Sequence, residues 1–96
     1  MTAYVICDID VHDPELYREY AALVPATLEP HGGWMLVRGG NFEVLEGSWQ
    51  PRRVVVIEFP STEHAKGWYT SSDYVAAMAI RHRASTGNLV LAEGAG

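Results

Sequence analysis

The sequence holds a single cysteine, Cys7. One thiol forms no internal disulfide and builds no multi-cysteine zinc or iron–sulfur centre. A disulfide-stapled secreted scaffold is therefore excluded, and a reducing, cytoplasmic setting is expected. Positive charge is also scarce: seven Lys and Arg against twelve Asp and Glu leave a formal charge of −5. Nucleic-acid phosphates and anionic membranes both require a basic face, so neither is an expected partner. No apolar run approaches the ~18 residues of a membrane helix. The N-terminal stretch lacks a basic leader and meets Asp8 and Asp10 early, unlike a signal segment. The four histidines show neither HxxxH nor HExxH spacing, which argues against a metal site, and nothing nominates a haem ligand. Gly39-Gly40 matches no phosphate-loop pattern and fits a bulge, turn or close backbone contact instead. No cofactor is expected.

What remains is ordinary globular material, 48% hydrophobic and 20% charged over 96 residues, enough for one domain spanning 1–96. Residues 3–10 read as a strand. Asp13-Pro14-Glu15 opens a helix: Asp13 can accept from exposed amides, Pro14 loses nothing at the first position, and Glu15 suits the positive end of the dipole. Leu16, Tyr20, Val24 and Leu28 then form one apolar stripe, with a kink expected at Pro25 unless it begins a new turn. Trp34–Arg38 reads as the second strand, continued after the glycines by Phe42–Leu45, and Glu46–Pro51 as a loop. Arg53–Phe59 is the clearest strand. Ser61 or Thr62 caps a helix to about Thr70, Ser71 or Ser72 caps another over 73–83, and Asn88–Glu93 is the last strand.

Strand, helix, strand, strand, helix, strand is the order of a ferredoxin-like split βαβ fold, an α+β protomer with a four-stranded antiparallel sheet. The helices cover one face only. A chain this short leaves the other bare, and a second protomer is the economical cover.

The segments "AYVICDIDVHDPELYREY", "GGWMLVRGGNFEVLEGSWQPRRVVVIEFPS" and "WYTSSDYVAAMAIR" resemble domain of unknown function 1330, a bacterial family of the dimeric α+β barrel superfamily. The motifs RGG (Arg38–Gly40), EGSWQPRR (Glu46–Arg53), EFPS (Glu58–Ser61) and WYTSSDY (Trp68–Tyr74) carry the resemblance. It implies a homodimer whose two sheets enclose a barrel-like space, and it brings no activity with it. The superfamily includes cofactor-independent monooxygenases, small isomerases and haem-handling proteins, so membership does not choose the chemistry.

Strand parity divides the polar residues. Val5, Cys7 and Ile9 share a face, as do Val55, Ile57 and Phe59, and these apolar sets should meet the helices. Tyr4, Ile6, Asp8 and Asp10 should point away with Val54, Val56 and Glu58, joined by Trp34, Leu36 and Arg38 if the second strand lies flat. The last strand is ambiguous. Topology then puts Asp8 and Asp10 at the end of Arg38 and Arg53, with Glu58 at the other end beside Tyr4 and Trp34. The first and second strands lie about 9.6 Å apart, a span Arg38 can bridge. Asp10 with Arg38 or Arg53 serves either as an ion-pair network at a barrel mouth or as a ligand site. In the second case a carboxylate supplies a base and the arginine fork holds an anionic or enolate oxygen. Trp68 and Tyr69, with Tyr74, Tyr17 and Tyr20, are either core or an aromatic wall for a planar ligand. Trp49, in a loop, suits an interface anchor. Two functions follow: a small-molecule enzyme using acid/base or cofactor-free oxygen chemistry on a planar or anionic metabolite between the sheets, or a non-catalytic ligand-binding or structural dimer module.

Overall fold

A computed structural model describes residues 1–96. Four strands, β1 (Ala3–Val11), β2 (Trp34–Arg38), β3 (Val54–Phe59) and β4 (Ser85–Glu93), alternate with three helices, α1 (Pro14–Leu28), α2 (Thr62–Tyr69) and α3 (Ser72–Ala84). The sheet order is β2-β3-β1-β4, with every neighbouring pair antiparallel. This is the expected ferredoxin-like α+β plan.

The helix starts follow from local chemistry. Asp13, Ser61 and Ser71 each accept a hydrogen bond from the backbone N–H three residues on, at Leu16, His64 and Tyr74. α1 runs unbroken past Pro25, although a proline there gives Ala21 no amide partner. Gly32, with φ of 68°, closes the following turn in the left-handed region.

Parity held along β1 and β3. Ala3, Val5, Cys7 and Ile9 are buried against the helices with Val55, Ile57 and Phe59, while Ile6, Asp8, Asp10, Val54, Val56 and Glu58 are exposed or half-buried on the open face. The helices add Tyr17, Tyr20, Val24 and Leu28 from α1, Trp68 from α2 and Tyr74 and Ala77 from α3 to the same core. Register resolves β4: Leu89 and Leu91 pair with Cys7 and Val5 on the helix side, so Val90 and Ala92 lie on the open face.

Two expectations fail. Phe42–Leu45 is not a strand: β2 is an edge strand ending at Arg38, and the chain from Gly39 to Arg53 is irregular. Phe42, Val44, Leu45 and Trp49 instead line a depression with Ile6 and Val54 of the open face. The second failure concerns β2 itself. No helix is long and apolar enough to cross a membrane.

Candidate functional site: an arginine-lined cavity between helices and sheet

β2 does not lie flat. Trp34 pairs with Glu58 and Met35 with Ile57, but Val37 pairs with Val56 and Arg38 with Val55. Leu36 is therefore an extra residue in a β-bulge, and every side chain after it changes face. Arg38, expected beside Asp10 on the open face, shares the helix side with buried Val55. The expected Asp10–Arg38 pair does not form for this reason, and its alternative, Asp10 with Arg53, fails because Arg53 lines the helix side while Asp10 lies on the open face.

Arg38 enters a cavity of about 80 Å³ between sheet and helices. The strands contribute Cys7, Ile9, Met35, Arg38, Arg53, Val55, Ile57 and Leu89; the helices contribute Tyr17, Tyr20, Ala21, Val24, Pro25, Trp68, Tyr74 and Arg81. Three lining residues are arginines, and none is a carboxylate or a histidine. Ala21, Pro25 and Arg38 are exposed, Arg53 is half-buried and Arg81 is 4% exposed. The mouth thus lies between α1 and the β2 edge, and Arg81 belongs to the interior.

The two inner guanidiniums have tyrosine neighbours, Arg53 beside Tyr17 and Arg81 beside Tyr74, but their other partners are weak. Arg53 Nη2 donates to Arg38 O at 3.4 Å, and Arg81 Nη2 lies 3.4 Å from His82 Nε2, both long for such bonds. The Nε–H groups of both are buried without any acceptor. Buried polar groups are nearly always satisfied, so two orphaned cationic donors in one cavity call for an explanation. Gly39 (φ 69°) helps place one of them: a Cβ there would collide with the Arg53 guanidinium. Arg53 also lies over the Tyr17 ring, 5.2 Å from its centroid.

The tyrosines complete the polar inventory. The Tyr20 and Tyr74 hydroxyls are 2.8 Å apart, and one of their two protons remains free to donate elsewhere. Burial pushes both phenols above their ordinary range, Tyr20 further through Tyr74 beside it, while hydrogen bonding to Tyr20 and the Arg81 charge restrain Tyr74. Burial also pushes Tyr17 up and the Cys7 thiol up to about 11, so neither is an anion at neutral pH. Around Arg81, burial works against the charge; the Tyr74 and Tyr20 oxygens favour it and outweigh burial only where those phenols ionise, far above neutral pH. Guanidinium groups do not release protons in proteins. The cavity thus offers donors and positive charge but no base.

The remaining expected site residues lie elsewhere. Asp8 and Asp10 share a polar depression on the open face with Arg52, Thr86 and Asn88. Asp8 accepts from the Arg52 backbone N–H and from Trp49 Nε1, each at 2.9 Å. Those two bonds, Arg52 first, hold its carboxyl below the usual range. Glu58 sits at the far end opposite Tyr4 and Trp34, as topology implied. Trp68 is fully buried, donates to Thr27 Oγ1 at 3.1 Å and forms a cavity wall. Tyr69 is 42% exposed and faces a different depression, along β4. Sequence reasoning missed Arg81 altogether. Its signal was spacing: with Tyr74, Ala77 and Ala84 it marks the buried face of α3.

The pattern of the family described as a domain of unknown function (DUF1330) matches residues 2–95. The chain belongs to that family. No curated protein matches this DUF1330 chain. Among solved structures, a protein of unknown function from Rhodopseudomonas palustris superposes with a TM-score of 0.78 at 16% identity, covering 99% of this chain and 83% of its own. The cofactor-independent oxygenase SnoaB from Streptomyces nogalater gives 0.64 at 13% identity, covering 99% and 93%. A dimeric ferredoxin-like protein of unknown function from Bacteroides fragilis gives 0.66 at 14%, covering 97% and 96%. At these identities the likeness is one of fold.

Proposed function

We propose that this DUF1330 protein binds a small organic acid as its anion in the cavity between helices and sheet. The observation that carries this reading is the pair of buried, unpartnered Nε–H groups on Arg53 and Arg81, in a cavity lined by three arginines and no carboxylate. Anionic oxygens are the acceptors that such donors lack, and a guanidinium presents them a planar fork. The bound species is held as its conjugate base, a carboxylate or enolate. With no protein base lining the cavity, any reaction starts from the electron-rich anion itself. SnoaB, a cofactor-independent oxygenase on the same fold, is compatible with chemistry of that kind. The ligand place differs from the one read from strand parity: it is inside each protomer, not between the two sheets.

A homodimer belongs to the same proposal. Ile6, Val90, Phe42, Leu45 and Trp49 are exposed on the open face and on the chain that crosses it, an apolar surface suited to a second copy. The dimeric relative from Bacteroides fragilis supports this arrangement.

The test is calorimetric titration with propionate and with propanamide, its uncharged isostere. Propionate should bind at least about tenfold tighter, a difference of roughly 1.4 kcal/mol. Equal affinity for the amide would remove the electrostatic basis of the proposal.

A further inference from the structure

Pro25 lies inside α1, and it lines the cavity together with Ala21, one turn earlier. Both residues are exposed, so they stand at the mouth. A helix carbonyl points toward the C-terminal end and accepts from the N–H four residues on. Pro25 has no N–H, and its ring crowds the carbonyl of Ala21, so that oxygen loses its helix partner. An interior proline costs a helix stability, and this one, being exposed, adds nothing to the buried core in return.

Size brings the same point next to the ligand. A cavity of about 150 Å³ takes the six carbons of benzene, so one of about 80 Å³ encloses roughly three heavy atoms, the size of a carboxylate group. The carboxylate fills the interior, where the buried Nε–H groups lack acceptors. The carbon beside it, with its substituent, then stands in the mouth, which is framed by Ala21, Pro25 and Arg38. Arg38 offers only donors there; the freed Ala21 carbonyl is an acceptor.

We propose that the occupant is a short 2-hydroxy acid, its carboxylate among the cavity arginines and its hydroxyl donating to the Ala21 carbonyl. The inference rests on the anion-binding reading above and deepens it by naming the substrate class. An ammonium group at the same carbon would also donate, but it would stand in a cavity lined by three arginines, and like charge disfavours it. The apolar walls alone favour an alkyl group over a hydroxyl, so a preference for the hydroxy acid has to come from a specific acceptor.

Calorimetry on the full chain at neutral pH compares glycolate with propionate, which has the same number of heavy atoms. Glycolate should bind at least about fivefold tighter, the worth of one hydrogen bond. Pro25→Ala puts an N–H back onto the Ala21 carbonyl at an exposed helix position that alanine suits, and it should bring glycolate to within about twofold of propionate. A second readout needs no variant: with the backbone labelled, the Ala21 carbonyl carbon resonance should move with glycolate and stay in place with propionate. Glycolate binding no tighter than propionate, a preference that survives in Pro25→Ala, or an Ala21 resonance indifferent to glycolate would each overturn this inference and leave the anion reading standing. Binding of neither acid would overturn both.

Discussion

Arg81 lies in the interior with no carboxylate beside it and its Nε–H unpaired. A group in that state costs folding energy, and proteins keep such groups where a ligand uses them. Arg81→Met should therefore raise the melting temperature, by about 1–2 kcal/mol of stability, while abolishing anion binding. A lower melting temperature in a thermal scan would make Arg81 a structural prop. Gly39→Ala has the opposite sign. It forces a side chain into a positive-φ position and against the Arg53 guanidinium, so it should cost about 1–3 kcal/mol and weaken binding together. Retained affinity by calorimetry would show that Arg53 does not depend on that space. Asp8 works on the opposite face. Its lowered carboxyl favours the folded state above its unfolded value near 3.8, and that contribution is lost as pH falls through the lower, folded value. Trp49 fluorescence should report release of the loop in that acid window, and Asp8→Asn should remove the transition. An unchanged acid transition in the variant would dissociate Asp8 from the loop. Of the three cavity arginines, Arg53 was expected beside Asp10 although it shares the parity of Val55, Ile57 and Phe59, and that parity is the signal which places it on the helix side. Arg38 was not, because one extra residue in β2 inverts its face.

At the scale of elements, most of the fold was written in local signals. The caps at Asp13, Ser61 and Ser71 and the alternation of β1 and β3 place five of the seven elements close to their observed limits. The failures share a cause. A bulge and an edge strand's end are settled by pairing partners and by the open face, neither of which hydrophobic period records. Contacts between elements were equally silent. Thr27 is an example: its hydroxyl donates to Val24 O at 2.7 Å and accepts from Trp68 Nε1, tying α2 to α1 behind the cavity. Thr27→Val strips the indole of its acceptor and should cost about 1–3 kcal/mol, read as a fall in melting temperature. No change would mean that Trp68 finds another partner.

For the whole molecule, one helix layer leaves a sheet face bearing Ile6, Trp34 and Val90 and crossed by an irregular chain rich in apolar residues. Light scattering at micromolar concentration should give about twice the 10.6 kDa chain mass; a monomer would leave that surface unexplained. The proposed function divides labour between the two faces, partner on the open side and ligand on the helix side. That division, with the site inside each protomer, is the central claim. It is tested most directly by following all arginine side-chain Nε–H resonances of the isotopically labelled protein as propionate is added. Resonances of the cavity arginines Arg53 or Arg81 should shift saturably, with Arg52 on the open face unmoved. Shifts confined to Arg52 would place the anion by Asp8 and Asp10, on the face between protomers, and contradict the account.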